Sequence, residues 1–476
     1  MTVSLANRFD ITLDAVERAA WRGQAVRLAP AALARIGDCR AAFLRLIDDP
    51  EIVVYGVTSG YGQRAYVRFT MEERQRHARR PPFGSATAFG RLLPERVTRA
   101  IVLARLANFV EGHAAGTPAL AAAVAAMLDG APLPPVPWQG QGGAGEILAL
   151  SPLFGHLPGE LEMGEKEVLS LINGSPCAAA LVADQALAGR RRADLAMRVM
   201  ALSIEAFKAP LAAYDPALDG LWGDPHEAAA LTGLRALLTG AGTERRAFQA
   251  PVSYRIIPRM LGRSLRALAA AEEAARVSLA SVSDNPVFVP PDGDHPNGRV
   301  FSTGGYHNAM AWPALDELAA AAADLCLIAE RHTDKLLNGR VSGLPDQLLT
   351  SATDDRYMGT LGMVQVGYGE QARHAAQRSF MPGPESGGYA QNDVAPPTFP
   401  AWAKAVEAGE CLDGSLATLA IVASQALHIT ERPAPPALVG FLDEIRATFP
   451  PLERGYPLGA DLGRLAARFT ERIYSA

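Results

Sequence analysis

The sequence has little cysteine: four residues, Cys39, Cys177, Cys326 and Cys411, stand far apart with no CxxC spacing. That excludes a zinc ribbon and a disulfide framework and suits a reducing compartment. Charge of one sign is also lacking. A formal net charge of −5 over 476 residues leaves no electrostatic footprint for nucleic acid or for an acidic membrane surface. Uninterrupted apolar runs are missing as well. Asp10, Asp14 and Glu17 break up the N-terminal segment, so it lacks the apolar core of a secretory signal. Asp316, Glu317 and Asp324 interrupt "AMAWPALDELAAAAADLCLIAERH" before it reaches the roughly 18 to 20 apolar residues of a membrane span. The expectation is a cytoplasmic protein that buries its apolar helices in its own core.

Period-2 strand patterns are few and short. The helical period dominates instead, in Ala- and Leu-rich segments such as "RVTRAIVLARLANFVEGHAAG", "RMLGRSLRALAAAEEAARVSLASV" and "ECLDGSLATLAIVASQALHI", with charges at helical spacing. Clusters of Pro, Gly, Asn and Asp at "SDNPVFVPPDGDHPNG" and "RPAPPALVG" stop the helices. The predicted fold is mostly α. The stretch "KAPLAAYDPALDGLWGDPHE" interrupts two helical regions and divides a loop-rich N-terminal part, 1–207, from a C-terminal long-helix bundle, 208–476. No internal repeat of fixed period is present.

One loop carries a glycine fingerprint. "WQGQGGAGEIL" contains Gly140-x-Gly142-x-x-Gly145, the spacing of a dinucleotide-binding turn. Such a turn needs a strand before it and a helix after it. Pro132, Pro134, Pro135 and Pro137 precede it and Pro152 soon follows; proline cannot donate to a sheet ladder, so a central strand is excluded. An ordinary turn, or a loop that needs bare backbone for another reason, remains.

The surroundings supply that reason. "VYGVTSGYGQ", "RLANFVEGHAAG", "EKEVLSLINGS", "FQAPVSYRIIP", "SVSDNPVF", "STGGYHN", "VSGLP" and "FPPLERGYPLGADL" occur in this order along the chain. The series resembles the landmarks of the histidine and aromatic amino acid ammonia-lyase family, nearly end to end. Members of that family make an electrophile, 4-methylideneimidazol-5-one, from an Ala-Ser-Gly tripeptide. The resemblance sets Gly140 to Glu146 on the family's Gly-Ser-x-Gly-Ala-Ser-Gly-Asp. Here the tripeptide's serine is gone: Gly143, Ala144, Gly145 and Glu146 offer no hydroxyl to leave as water, and so no methylidene can form by the family's route. These four residues mark a vacated prosthetic-group loop, and no cofactor is expected.

The resemblance also implies site residues. Tyr55 falls on the catalytic tyrosine, which serves as a base only if neighbouring donors or positive charge favour the phenolate. Asn173 matches an asparagine that contacts substrate, and Arg255 matches the carboxylate-gripping arginine, whose planar fork suits a bidentate pair. Gln249, Tyr306 and Gln391 are similar to further pocket positions. Other family groups are replaced: Val252 and Ala250 stand for a tyrosine and an aspartate, Gly305 for an asparagine, and Asn392 for the glutamate that holds an imidazole. The last change points away from histidine. Pro82-Phe83 falls near the ring-selectivity pair and is apolar, which favours an aromatic or polyene-like group. The basic run "RQRHARR" (74–80) reads either as a solvated lid face or as a contact for an anionic carrier tail. His307, His332 and Asp334 have no partners at metal-ligand spacing and read as packed or surface residues; no metal is expected.

The function implied is acid–base elimination, isomerisation or intramolecular addition on a carboxylate-bearing aromatic or unsaturated substrate, free or carrier-bound. Tyr55 moves the proton, Arg255 anchors the acid, and the vacated loop, if it lies at helix N-termini, offers N–H groups to an oxyanion. The alternatives are a catalytically silent binding or assembly homologue and an aromatic amino acid ammonia-lyase with an unforeseen prosthetic group. Family members are tetramers whose active sites draw on three chains, so the resemblance implies a homotetramer.

Overall fold

Alanine and leucine cost little rotamer entropy in a helix, and the segments rich in them are helical in the computed structural model, which describes residues 2–246, 249–351, 353–383 and 391–474. The strands are short and peripheral. β1 (Val3–Leu5) pairs in parallel with β2 (Val26–Leu28), and β3 (Val287–Val289) pairs antiparallel with β4 (Arg299–Phe301), Phe288 facing Val300.

The N-terminal part contributes α1 (Pro30–Ile47), α2 (Met71–Ala78), α3 (Glu95–Arg105) and α4 (Ile147–Phe154). Long helices follow: α5 (Pro176–Ala206), α6 (Ile257–Ala280), α7 (Ala311–Leu337), α8 (Leu361–Ala375), α9 (Thr398–Ile429) and α10 (Gly459–Tyr474). α5 packs on α6, α7 and α9, while α8 bridges α7 and α9. The fold is therefore mostly α around a long-helix bundle. α5 belongs to the segment before residue 208, yet it is one of the bundle's central members, and a single apolar cluster runs from Val3 to Ile473. Residues on both sides of the expected division share that core.

Among the described residues, α9 alone is long and apolar enough to cross a membrane, but 89% of its most apolar window lies buried inside the bundle. A helix that is apolar on all sides belongs at a core's centre. Its buried carboxylate Asp413 is paired there. Arg192 on α5 meets the fully buried Asp413 on α9 through Nε to Oδ1 at 3.0 Å and Nη2 to Oδ2 at 3.0 Å, a bidentate clamp between the two helices.

α5 matters most for the site. Its N-cap, Ser175, makes no side-chain capping bond, so the first N–H groups of a 31-residue helix need acceptors from elsewhere. The glycine loop provides one.

Candidate active site

Tyr55 sits in a loop of nested turns. Gly56 N–H donates to Gly60 O at 3.2 Å and Phe69 N–H to Thr58 O at 2.9 Å, which folds residues 54–69 back on themselves. The half-buried Tyr55 Oη accepts from Gly62 N–H at 3.1 Å. Burial pushes its pKa above the ordinary phenol value, against that single hydrogen bond, and the nearby Tyr306 and Tyr61 push it further up. Among the described residues no cation favours the phenolate, so the resting group is a phenol that can donate a proton.

Opposite lies the glycine loop. Gly145 adopts φ +73°, and a Cβ there would stand 2.4 Å from Asn173 Oδ1; the position accepts glycine alone without moving the asparagine. Asn173 is held from two sides. Its Nδ2 donates to Asn285 O at 2.9 Å, and its own carbonyl accepts from Arg105 Nη1 at 2.8 Å. Asn285 is fixed in turn, since its Oδ1 accepts from Thr303 N–H at 2.9 Å and Ser302 Oγ at 3.2 Å. Ala144 N–H donates to Asn392 Oδ1 at 3.3 Å. These residues enclose a cavity of about 510 Å³ lined by Tyr55, Ala144, Gly145, Asn173, Tyr306 and Gln391, together with Tyr61, Asn285, Thr303 and Asn392.

Glu146 faces the other way. Its backbone is left-handed at φ 56°, and its carboxylate accepts from Cys177 N–H at 2.6 Å and Ala178 N–H at 2.8 Å at the start of α5. Of the N–H groups expected to serve a substrate oxyanion, those of Cys177 and Ala178 are already taken by the chain's own carboxylate. Burial pushes the Glu146 pKa up to about 7, although the two N–H groups, the Cys177 thiol and Arg105 favour the anion. Beneath it lie the fully buried Arg105 and the ion pair between Lys166 Nζ and Asp284, both also out of water. Lys166 donates besides to Ala114 O at 3.0 Å.

Two further expected residues lie elsewhere. Gln249 and Arg255 line a second cavity of about 660 Å³ with Lys208, Arg245, Arg246 and Val252. Within one chain they share no cavity with Tyr55: Arg255 ends a short helix, Val252–Arg255, with its Nε donating to Ala250 O at 3.0 Å. Phe83 is 70% exposed and lines neither cavity. The basic run on α2 is not uniformly solvated: Arg74 is buried and lies 3.3 Å from Glu165, and His77 packs between Tyr61 and Phe69. His332 stacks on Tyr254 in the core and His307 lies edge-on to Trp312. Sequence reasoning missed Tyr61, Asn285, Arg105, Lys166 and Asp284. Asn285 and Asp284 stand inside the quoted "SVSDNPVF", but only packing shows which of its polar groups faces the cavity.

A family model for aromatic amino acid lyases matches residues 11–164 and 160–447. The chain belongs to the aromatic amino acid lyase family. It is a lyase of the ammonia-lyase type. It is 30% identical over 376 residues to a histidine ammonia-lyase of Anaeromyxobacter sp. (strain K), spanning 70% of this chain and 72% of that one. Its fold matches the ergothioneine-degrading enzyme ergothionase from Treponema denticola with a TM-score of 0.90 at 17% identity, over 100% of this chain and 99% of the other. Tyrosine aminomutase from Streptomyces globisporus superimposes with a TM-score of 0.87 at 22% identity, over 100% and 98%.

Proposed function

We propose that this lyase works without methylideneimidazolone, by acid–base elimination, isomerisation or intramolecular addition on an amino-acid-like substrate that carries a carboxylate and an aromatic or unsaturated group. The observation that carries the reading is the wall of the first cavity: Tyr55 faces a loop in which Ala144, Gly145 and Glu146 offer no hydroxyl. The residues present do not fit the prosthetic ring. Any side chain at 145 meets Asn173 Oδ1, and the loop's carboxylate, Glu146, is committed to α5.

The chemistry then falls to the chain's own groups. Tyr55, kept protonated by burial, donates a proton to a departing or rearranging group, a contribution of about 10²–10⁴ in rate for a well-placed acid. Asn173, locked by Arg105 and Asn285, orients the substrate with its amide. Arg255 and Gln249 from a neighbouring copy grip the carboxylate, which requires a homotetramer that brings the second cavity against the first. Without an electrophile to activate a free amine, the suitable substrates have a more acidic C–H or a better leaving group than an ordinary amino acid. A cytoplasmic setting suits the four free cysteines.

Two measurements test this. Intact mass should equal the encoded mass, because ring formation expels water. Turnover should be followed on a panel of aromatic amino acids, their unsaturated acids and quaternary-amine betaines, with Tyr55→Phe as the control. A chain lighter by one or more waters, or full turnover by Tyr55→Phe, rejects the proposal. The loss of the electrophile also favours a second reading, a silent assembly homologue; no turnover across the panel combined with intact binding of substrate acids selects it.

A further inference from the structure

The second cavity holds more positive charge than one substrate carboxylate requires. Lys208, Arg245, Arg246 and Arg255 line it. Lys208 Nζ lies 2.8 Å from Glu244, and Arg245 Nη2 lies 2.6 Å from Oε2 of the fully buried Glu205. Glu205 is shared, however, because its Oε1 also receives Arg432 Nε at 2.7 Å. Arg246 and Arg255 pair with no carboxylate among the described residues. Counting Arg432, five cations face two carboxylates, and three positive charges stand unbalanced.

The excess is also presented in a fixed geometry. Arg245 Nε and Nη1 and Arg246 Nη1 are withdrawn from water without an acceptor, an unfavourable state for charged donors unless a ligand completes them. Both guanidinium groups have a protein contact. Glu205 holds Arg245, while Arg246 lies over the Phe207 ring at 4.3 Å and its backbone N–H donates to Lys208 O at 3.0 Å. Arg255 spends only its Nε on Ala250 O. Once Arg255 holds a carboxylate, two positive charges and three buried N–H groups remain. A phosphate group matches them in charge and in its number of acceptor oxygens, and the planar guanidinium fork suits it.

We propose that Arg245 and Arg246 form a phosphate-binding subsite beside Arg255, so that the substrate bears a phosphate in addition to its acid end. The inference rests on the proposed role of Arg255 as substrate anchor. The phosphate arrives either on a small phosphorylated acid or on a pantetheine phosphate arm, and the two present the same group to the arginines.

The test is calorimetric titration of the assembled wild-type protein at low ionic strength with inorganic phosphate, inorganic pyrophosphate, coenzyme A and malonate. Saturable binding of the phosphates in preference to malonate is expected. Arg246→Gln should weaken that binding by about tenfold or more, with assembly unchanged by mass photometry, and Tyr55→Phe should leave it unaltered. Coenzyme A binding well above pyrophosphate assigns the group to a pantetheine arm; equal binding assigns it to a small phosphate ester. No saturable phosphate binding by the wild type overturns the proposal, as does an Arg246→Gln variant that binds phosphate normally. It is equally overturned if Arg246→Gln dissociates the assembly, since a neighbouring chain's carboxylate is then the missing acceptor. A null titration alongside Tyr55-dependent turnover leaves the acid–base reading standing, and full turnover by Tyr55→Phe with normal phosphate binding rejects that reading alone.

Discussion

Replacing Glu146 should reveal how the glycine loop is held. The carboxylate accepts from two N–H groups at the start of α5, at 2.6 and 2.8 Å, inside a fully buried site. Glu146→Ala leaves both donors unsatisfied, at about 1–3 kcal/mol each, and deprives the buried Arg105 of a neighbouring anion. A total of roughly 2–6 kcal/mol from the two stranded donors is expected. Glu146→Gln keeps one acceptor oxygen and costs less, but it abolishes a pH dependence. The folded-state pKa of about 7 lies above the ordinary 4.5, so between those values the folded chain retains a proton that the unfolded chain has lost. Stability from this group is fully present below about pH 4.5 and is lost as pH rises through 7. At about 1.4 kcal/mol per unit, the wild type should lose roughly 3 kcal/mol across the window relative to Glu146→Gln. Urea midpoints at fixed protomer concentration and several pH values measure the difference, and common histidine titrations cancel in it. Parallel pH profiles for the two proteins, or an unchanged midpoint for Glu146→Ala, would refute the reasoning.

Other outcomes follow from the same geometry. Gly145→Ser should not restore the electrophile: its φ of +73° and the approach of Asn173 predict an unchanged intact mass and a stability loss of about 1–2 kcal/mol, and a loss of one water by mass spectrometry contradicts this. Because burial raises the Tyr55 pKa, the alkaline limb of kcat should fall above about pH 10, and a pH–rate profile that declines near neutrality through Tyr55 is incompatible with it. Arg255→Ala should raise KM for a carboxylate substrate far more than it lowers kcat, and mixing it with Tyr55→Phe should regain activity through hybrid sites if the two residues meet only across chains. Lys166→Met strands the buried Asp284 and should destabilise by about 3–5 kcal/mol; a wild-type denaturation midpoint argues against a charged pair.

Much of this protein is written locally. Alanine and leucine at helical spacing produce the long helices wherever they fall, as in α5 and α9, and the prolines before Gly140 rule out a strand without any knowledge of the fold. The order of motifs along the chain was enough to suggest the family. The absence of a serine between Gly143 and Glu146 is a property of covalent composition, which folding cannot change. The division at residue 207 had a weaker basis, because a run of prolines and glycines marks a break between helices and says nothing about whether the flanking cores are separate.

What the tertiary structure decided depends on pairs far apart in the chain. Glu146 reads in sequence as a loop carboxylate next to a reactive position; only the arrival of α5 shows that it serves as a helix cap, because unsatisfied N–H groups attract whichever acceptor packs within reach. Tyr55 and Arg255 both read as site residues, yet within one chain they line two different cavities, because residues distant in sequence are brought to separate places by how the helices pack. Arg245 and Arg246 carry no motif at all. Their surplus charge is visible only after the structure has assigned every nearby carboxylate to a partner, since electrostatic balance belongs to neighbours in space and sequence lists neighbours along the backbone.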